Sequence, residues 1–541
     1  MKHISKITFI LFAALALTLI SCGEDWLETE PQGLVLESNY YQTEEDAFAA
    51  LAAAYDPLEW DYMSGMDGGY NPFFMVMNIA GDDTEGGGDT PDDQPGLLEF
   101  DNYRLTPDNE QVRGLWIRAA RGIYRCNLVI ENTSDDFANA TTIKSEALFL
   151  RAYYFFDAVR MWGDFPMLDH VLAPDEYYST GRAPKREIFD LIVSDLTTAI
   201  NSNALKRSSQ VPGGRVTLGA AHALLGKVYL YMASPYYGYN DQNYYQLAAN
   251  EFAAVIQLND YRLIENYFDV NDPRLGQNTA ESVFEIQHSN RSQWADWGYG
   301  APGEGNFTAT MSGVRTGGTL GHPVYSNGWS FNLPNQNNID AYIAMGDDVR
   351  FSANIITSFP VEVGGVTIPS DLGNAVDTSG RNVTTDIGCN FAIAYQHTGY
   401  YVKKYAIYAE LIPTVGDQFH NNPNNMVAMR YSDVLLMHAE ALVSGASDPL
   451  GAAAADYVNE VRERVELDPL GSVDLDAILA ERRLELDHMG HRWFDMIRLN
   501  RAVAVFGPLG FAAGREVFPI PRLEIDNTRG TLEQNDAYKN L

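Results

Sequence analysis

Apolar side chains cover most of the circumference of a predicted helix over Ser145–Leu168. On one face Leu148, Phe155 and Trp162 recur at helical spacing, and apolar residues recur on the adjacent face as well. A helix that is apolar on most sides has to be buried between neighbouring elements rather than laid on a surface. We expect Gly163 to end it, because glycine commonly follows the last helical turn.

Helical spacing of apolar residues recurs along the chain in segments that follow one another as pairs. The pair Thr217–Ala233 and Tyr244–Leu258 has the small-residue and aromatic spacing of tetratricopeptide helices. The other predicted helices are Thr43–Leu58, Pro107–Asn132, Lys185–Ile200, Met429–Ser444, Ala452–Val465, Leu475–Met489 and His491–Leu499. Stacked helical pairs bury a continuous core, so we predict a mainly α, tetratricopeptide-like scaffold over about residues 43–260 and 426–541.

Two regions between these helices lack a helical pattern. Residues 261–425 are rich in Gly, Asn, Ser and Trp, with strand-like alternation at Glu281–His288 and a hairpin-like pattern at Phe359–Thr385. Residues 61–106 form an acidic and aromatic loop. Irregular stretches of this length inside a compact protein are usually functional. We predict a single unit over residues 22–541, in which a large loop-rich insertion with short strands decorates the helical scaffold.

The first 21 residues have the pattern of a secretory signal peptide. Two lysines precede the apolar run Ile7–Ile20, which is too short to span a bilayer comfortably. Leu19–Cys22 resembles a bacterial lipobox, so we predict cleavage before Cys22 and lipidation of its thiol; ordinary signal cleavage beside an incidental cysteine is the alternative. The acidic Gly23–Asp25 resembles the surface-export signal of Bacteroidetes lipoproteins. These features predict a lipid-anchored protein on the outer face of the outer membrane.

Charge and motif content exclude several classes of function. The chain has 37 basic and 72 acidic residues and a net charge of −35, which disfavours nucleic acid as a partner. Its three cysteines form no Cys-x-x-Cys pair, so a zinc site has no support, and Cys126 is expected to be a buried thiol. Serine-hydrolase, zinc-protease and P-loop patterns do not occur in the sequence, which gives no support for catalysis or for a cofactor.

Short motifs along nearly the whole chain resemble those of one known protein family. In the first half these are Asp25–Glu28, Glu146–Ala147, Leu150–Phe155, Gly163–Pro166 and Gly214–Thr217. In the second half they are Glu281–Gln287, Arg430–Leu436, Ala439–Ala441, Asn459–Arg462, Glu481–Leu486, Arg492–Arg498, Phe518–Pro521, Glu524–Ile525 and Gln534–Tyr538. The chain resembles the SusD/RagB family of outer-membrane nutrient-binding lipoproteins. Asp536-Ala537 stand where that family commonly has Pro-Gly.

The resemblance implies a mostly helical protein with tetratricopeptide-like units and an irregular binding face. It implies no catalysis. It also implies a partner, a SusC-like TonB-dependent outer-membrane transporter, which the lipoprotein caps like a lid. The ligand implied is an oligosaccharide or polysaccharide, although some relatives take peptides instead.

Aromatic clusters in the two irregular regions are the candidate ligand site. A flat ring buries the apolar C–H face of a sugar, while amide, carboxylate and guanidinium groups bond its hydroxyl rim. The candidate stacking residues are Trp294, Trp297, Tyr299, Tyr325 and Trp329 in the insertion, and Tyr70, Phe73 and Tyr103 in the earlier loop. Asn102 and Arg315 are candidate rim contacts. Packing of these rings within small loop cores is the alternative interpretation.

Three other clusters of polar side chains are better explained by structure than by function. The first contains Glu481, Arg482, Arg483, Glu485, Arg492, Asp495 and Arg498, and we interpret it as an ion-pair network because its acids and bases nearly balance. An anionic-ligand site is the alternative. We interpret His488 and His491 as a solvated pair rather than metal ligands. We expect the acidic residues 81–89 to form a solvated, mobile loop rather than a cation site.

The sequence therefore favours a surface lipoprotein that captures a glycan without catalysis and passes it to a transporter. The acidic balance argues for neutral glycans such as glucans, mannans or xylans over strongly anionic ones. A peptide ligand is the alternative among binding proteins, and a surface glycoside hydrolase is the alternative from another class. For the hydrolase, paired carboxylates would have to face each other across a cleft.

Overall fold

A computed structural model describes most of the chain after the first 39 residues. The described parts are residues 40–63, 69–239, 243–290, 305–316, 322–376, 382–412, 419 and 421–541, without the side chains of Met63 and Asn382.

The described residues contain seventeen α-helices. They are α1 (Glu44–Tyr55), α2 (Phe73–Ile79), α3 (Pro95–Asp101), α4 (Glu110–Asn132), α5 (Ala140–Trp162), α6 (Lys185–Asn201), α7 (Leu218–Ala233), α8 (Asn243–Gln257), α9 (Phe307–Ser312), α10 (Gln336–Met345), α11 (Asp348–Asn354), α12 (Tyr431–Val443), α13 (Ala454–Glu463), α14 (Leu475–Glu485), α15 (His491–Arg498), α16 (Ala502–Phe506) and α17 (Arg522–Asn527). Within the described ranges, no helix is both long enough and apolar enough to cross a bilayer.

The strands are short, and each pairs antiparallel with a single partner. They are β1 (Tyr62–Met63), β2 (Gly69–Tyr70), β3 (Thr84–Gly87), β4 (Phe165–Pro166), β5 (Arg182–Ala183), β6 (Ser282–Ile286), β7 (Phe331–Pro334), β8 (Ile355–Thr357), β9 (Val361–Val363), β10 (Val366–Ile368), β11 (Asn382–Thr384), β12 (Asn390–Ala392), β13 (Tyr400–Val402) and β14 (Met426–Arg430). The pairs are β1–β2, β3–β7, β4–β5, β6–β14, β8–β13, β9–β10 and β11–β12.

The scaffold helices pack on their neighbours in sequence. α4 packs on α5, α5 on α6, α6 on α7 and α7 on α8. Across the insertion, α8 packs on α12, and α12 packs on α13. The two halves of the scaffold therefore form one stack of helical pairs, which confirms the mainly α, tetratricopeptide-like fold.

The central helix α5 is buried on nearly all sides, as its apolar circumference predicts. Trp162 is fully buried at its end, and Gly163 follows with a φ of 72°. A side chain other than glycine is strained at that φ, so Gly163 ends the helix as expected. α4 also approaches α5 closely at Gly122, where an added Cβ atom would overlap the ring of Tyr154.

Local sequence features explain where several other elements begin and turn. Thr43 and Asp46 form a capping box at the start of α1, and Thr217 caps α7 through the N–H of Ala220. The hairpin β9–β10 turns at Gly364-Gly365, where the sequence predicted a hairpin. The Cys126 thiol is buried, and burial raises its pKa.

The prediction that residues 61–106 form a loop is wrong, because they contain two helices. Every residue of α2 is buried, and α3 begins at Pro95, a residue well suited to a first helical turn. The run Phe73–Ile79 has no polar stripe, because the helix has no solvent face. The insertion also contains more helix than expected, in α9, α10 and α11, beside the predicted short strands.

The ion-pair interpretation of the C-terminal charged cluster is confirmed. Glu485 lies between two fully buried arginines, 3.2 Å from Arg350 and 2.6 Å from Arg430. Nearby, Arg498 bonds both Glu440 and Asp495. These pairs connect the insertion, which contributes Arg350, to the scaffold helices. Each of these charged groups forms an ion pair within the protein.

The structure corrects the interpretations of the acidic loop and of the histidines. Asp82 and Asp83 are buried and bond Arg492 and Arg483, so this part of the loop is not solvated. The two carboxylates face inward because they pair with these arginines. The arginines are far away in sequence, so the local sequence does not reveal the contact. His488 is also buried, with its ring 2.8 Å from the carboxylate of Asp487, so the expectation of a solvated pair is wrong for it.

Candidate functional site

Five aromatic rings from four separate segments meet on one side of α9. They belong to Tyr62, Tyr70, Phe307, Trp329 and Phe419, and are called the ring cluster below. Phe307 is buried at its centre, whereas the other four rings are half-buried. An apolar surface that is half open to solvent is the kind of surface on which a flat ligand can stack.

The hairpin β1–β2 supplies the first side of the ring cluster. Tyr62 and Tyr70 are opposite each other in its register, and their rings stack with centroids 4.7 Å apart. Both rings also stack on Phe307, at 5.9 and 5.2 Å. Cross-strand aromatic pairs of this kind stabilise a two-stranded ribbon, which would be marginal alone. The two tyrosines therefore depend on α9 for their orientation.

The short helix α9 also positions the second side of the ring cluster. The Trp329 N–H donates to the carbonyl of Thr310 (2.9 Å), and the Thr310 hydroxyl donates to the carbonyl of Phe419 (2.9 Å). The Trp329 ring meets Tyr70 edge to face at 5.5 Å and lies 5.8 Å from the Phe419 ring. One six-residue helix thus aligns rings that are far apart in sequence.

Arg315 supports Trp329 from the backbone side. Its guanidinium donates to the Trp329 carbonyl (2.9 Å) and to Oδ2 of Asp93 (3.2 Å). Asp93 also accepts from the N–H of Asp89, at 2.8 Å. Arg315 lies beside the ring cluster, as predicted for a rim residue, but its hydrogen bonds are made to the protein.

Acidic groups outnumber basic ones around the ring cluster. The carboxylates of Asp93 and Glu110 act on the Tyr70 hydroxyl, and together with burial, which has the larger effect, they raise the pKa of Tyr70 to about 12. Tyr70 therefore keeps its proton at neutral pH and can donate a hydrogen bond. Arg315 is the nearby cation, and Asp93 already balances it. This environment suits an uncharged ligand with hydroxyl groups better than an anion.

The structure brings some of the predicted site residues together and separates others. Tyr70, Trp329 and Arg315 lie at the ring cluster, although Tyr70 is about 260 positions from Trp329 in sequence. Tyr325 is elsewhere: its ring stacks on His322 and is tilted against Tyr408. No described contact joins Tyr325 to the ring cluster.

Three predicted site residues do not present a free ring or rim group. Phe73 and Tyr103 are each only 6% exposed and pack inside the core, so the expectation that they stack on sugar is wrong. The Tyr103 ring packs among Trp493, Phe506 and Phe511. Asn102 is exposed at the end of α3, where its amide donates to the carbonyl of Leu98. Trp294, Trp297, Tyr299 and the lipidation candidate Cys22 lie outside the described residues.

Sequence reasoning missed three members of the ring cluster, which are Tyr62, Phe307 and Phe419. Phe307 and Phe419 lie in segments without periodic signal. The signal that could have pointed to Phe307 is the local N-cap pattern Asn306-Phe307, since the Asn306 side chain accepts from the N–H of Ala309. No such local signal precedes Phe419.

A groove lined by residues outside the ring cluster is the second candidate site. It has a volume of about 580 Å³ and lies between α1, the turn at Gly213-Gly214 and β6. Its lining is largely apolar, with Phe48, Leu51 and Phe284 among the side chains. Metal binding has no support from the described ranges, in which no three metal-ligating side chains cluster.

Comparison with protein families identifies the fold. A model of the SusD family matches residues 280–538, and a model described as "Starch-binding associating with outer membrane" matches residues 96–230. SusD-like protein P38 of Formosa agariphila is 28% identical to this chain, with 99% of this chain and all of that protein covered. These matches name binding proteins and indicate no enzyme family.

Solved structures agree with these matches over nearly the same length. A laminarin-binding SusD-like protein superposes with a TM-score of 0.74 at 29% identity, covering 92% of this chain and all of that one. Surface glycan-binding protein A from Bacteroides thetaiotaomicron, solved in complex with laminarihexaose, gives a TM-score of 0.74 at 25% identity, covering 91% and 100% of the two chains. Both the sequence models and the superposed folds show that the chain belongs to the SusD family.

Proposed function

We propose that the protein is a cell-surface glycan-binding lipoprotein that captures an oligosaccharide or polysaccharide at the ring cluster. The observation that carries this proposal is the set of half-buried rings of Tyr62, Tyr70 and Trp329, held by α9 at one surface. Such rings can bury the C–H faces of sugar residues, and the Tyr70 hydroxyl can bond a sugar hydroxyl. The proposal is binding without catalysis, and the stacking faces of these rings support it.

The chemistry around the ring cluster favours a neutral glycan. Asp89, Asp93 and Glu110 stand near it, and Asp89 and Asp93 already pair with the guanidinium of Arg315, so uronate or sulfate groups would be repelled. The names of two structural relatives support the same class, since one binds laminarin and the other was solved with laminarihexaose. We therefore propose a neutral β-glucan of that kind as the first ligand to test.

Anchoring and delivery are further parts of the proposal. Lipidation at Cys22 would hold the body at the outer surface of the outer membrane, in keeping with the family description that mentions this membrane. A captured glycan would then pass to a SusC-like TonB-dependent transporter. Copurification of the full-length lipoprotein with such a transporter from outer membranes, and its loss in a Cys22→Ala variant, is the expected result.

Isothermal titration calorimetry of the purified protein tests glycan binding. The panel contains laminarihexaose, a mannan, a xylan, alginate and a protein digest. We expect binding of a neutral glycan, and about two- to tenfold weaker binding after Trp329→Ala or Tyr70→Ala, because each ring stack contributes about 0.5–1.5 kcal/mol. Melting temperatures should stay close to that of the unmodified protein, since both rings are half-buried.

Tyr124→Ala is the matched control. Tyr124 is an exposed tyrosine, 47% accessible, and it lies about 21 Å along α4 from Glu110. Its removal should leave the affinity unchanged. Unchanged affinity in both ring-cluster variants would remove these residues from the site. Binding of the digest alone would show a peptide receptor, and new reducing ends after incubation with a bound glycan would show a hydrolase.

A further inference from the structure

The buried carboxylate of Asp61 lies between the two elements that form the ring cluster. It directly precedes Tyr62, the first ring of the hairpin, and is only 9% exposed. Its Oδ2 atom accepts from the N–H of Phe307 at 3.1 Å. Its backbone carbonyl accepts from the N–H of Asn71 at 2.8 Å, which fixes the other strand beside Tyr70. A single residue therefore bonds both strands of the hairpin and the first residue of α9.

Capping of α9 does not explain this carboxylate. Asn306 already caps the helix, because its Oδ1 atom accepts from the N–H of Ala309 at 3.2 Å. Asn306 is itself held by Asn422, whose amide donates to the Asn306 carbonyl at 3.1 Å. The hydrogen bond from the Phe307 N–H to Asp61 is therefore not needed to cap the start of α9. It attaches α9 to the hairpin instead.

The charged surroundings of Asp61 are sparse. Among the described side chains Asp61 forms no ion pair, and Arg118 of α4 is the charged group that acts on it. Arg118 is engaged elsewhere, with the Pro57 carbonyl at 3.0 Å and with Asp157 of α5 at 3.4 Å. Thr308, the next residue of α9, also lowers the pKa of this carboxylate. Burying an ionised carboxylate with so few charged partners costs folding free energy. The feature that this carboxylate provides is its hydrogen bond to α9.

We propose that Asp61 is the positioning residue of the ring cluster, fastening α9 to the β1–β2 hairpin and so setting the spacing at which Tyr62, Tyr70 and Trp329 meet a glycan. The inference rests on the proposed glycan site. It adds a residue that need not touch the sugar yet determines how well the sugar is held. Asp61 acts through its hydrogen bond from the Phe307 N–H. This hydrogen bond is stronger with an ionised carboxylate than with a neutral acceptor.

The proposal has a pH dependence with a defined sign. Burial raises the pKa of Asp61 from 3.8 to about 6, while the bonds from Phe307 and the charge of Arg118 oppose that rise. As the pH falls through about 6, the carboxylate takes up a proton and its bond to Phe307 weakens, so glycan affinity should fall. Global stability moves the other way, because between pH 6 and 3.8 the folded state binds a proton that the unfolded state does not. Weaker glycan binding in acid would therefore not be caused by unfolding due to protonation of Asp61.

Calorimetry with laminarihexaose between about pH 5 and pH 7.5 tests the proposal on three proteins. They are the unmodified protein, Asp61→Asn and Asp101→Asn. Asp101 is the matched control, because burial raises its pKa to about 6 as well, but its carboxylate accepts from Gln396 (2.7 Å) and not from the ring cluster. The near-ultraviolet circular dichroism of each protein is recorded without ligand over the same range, since it reports the packing of the rings.

We expect the unmodified protein and Asp101→Asn to bind about three- to tenfold more weakly at the acidic end, with a change in the aromatic spectrum centred near pH 6. Asp61→Asn should show neither change and should bind weakly throughout, with a melting temperature no lower than that of the unmodified protein. Full affinity in Asp61→Asn at neutral pH, or an unaltered pH profile, would overturn the positioning role. If laminarihexaose fails to bind while the spectral change still depends on Asp61, positioning stands and the proposed glycan is wrong.

Discussion

At the scale of single residues, the support of Trp329 separates the groups that would touch a ligand from those that hold the ring. Arg315 bonds the Trp329 carbonyl with two of its nitrogens, at 2.9 and 3.2 Å, and reaches Asp93 with one of them. The planar fork of arginine allows this arrangement, and the single ammonium of lysine does not. Arg315 therefore holds the backbone of Trp329, and any contribution to the proposed glycan binding is made through that ring.

Replacing this arginine should weaken binding more than stability. We expect Arg315→Lys to reduce affinity for laminarihexaose about three- to tenfold, because the Trp329 carbonyl loses a bidentate partner while the positive charge is kept. Calorimetry measures the affinity and thermal unfolding measures the stability. Arg274→Lys is the control: Arg274 is exposed, pairs with Asp272 and Glu410, and stacks on Tyr408 outside the ring cluster. Equal affinities of the two variants would contradict the role of Arg315.

Residue chemistry alone predicted part of the site. Tyr70 and Trp329 were selected because aromatic residues in irregular segments are candidates for stacking, and both lie at the ring cluster. Phe73 and Tyr103 satisfied the same criterion but are core residues, since Phe494 of α15 packs on Phe73 and the α16 region packs on Tyr103. Which face of a ring is covered depends on contacts over hundreds of positions, and no local pattern in the sequence contains that information.

At the scale of elements, periodicity and capping explain why the scaffold was predictable. The expected helix Lys185–Ile200 is observed as Lys185–Asn201, and Tyr244–Leu258 as Asn243–Gln257. Each of these helices has one buried and one exposed face, which produces the pattern. α2 lacks that contrast, because all of its faces are buried, and it was missed. The central helix α5 is also buried on nearly all sides, but its 23 residues made its apolar circumference recognisable, whereas α2 has only seven residues.

The contact between α4 and α5 provides a test at this scale. Gly122→Ala should destabilise the fold by about 1–3 kcal/mol, because the added methyl group overlaps the Tyr154 ring and the helices must separate. Urea unfolding followed by circular dichroism measures the free energy. Gly471→Ala is the control, since a Cβ atom there meets nothing within 4 Å. A Gly122→Ala protein as stable as the control would show that the space between the two helices can accommodate a methyl group.

At the scale of the whole molecule, buried ion pairs connect the insertion to the scaffold. Burial alone would raise the pKa of Glu485, but the guanidiniums of Arg464, Arg430 and Arg350 lower it to about 2. These four groups come from α11, from the junction of β14 and α12, and from the α13–α14 region. The irregular part of the molecule is thus fixed by charge as well as by its own small apolar cores.

Acid should therefore weaken the whole fold. Because the pKa of Glu485 is lower in the folded state than its ordinary 4.5, its stabilising contribution is complete above pH 4.5 and is lost as the pH falls towards 2. We expect the urea midpoint to fall steadily over this range. Glu485→Gln should cost about 3 kcal/mol or more at neutral pH, since it leaves buried guanidiniums unpaired, and should show a shallower fall in acid.

The control for acid unfolding is an exposed carboxylate. Glu410→Gln removes a carboxylate whose side chain is 64% exposed, and it should leave both the midpoint and its pH slope unchanged. Identical slopes for Glu485→Gln and the unmodified protein would assign the acid sensitivity to other groups.

The ring cluster combines segments that are far apart in the primary structure, from Tyr62 in the first eighth of the chain to Phe419 in its last quarter. During synthesis the proposed glycan site is therefore incomplete until the ribosome has passed residue 419. A polypeptide that stops earlier lacks one of the five rings and should not bind the proposed ligand in the same way.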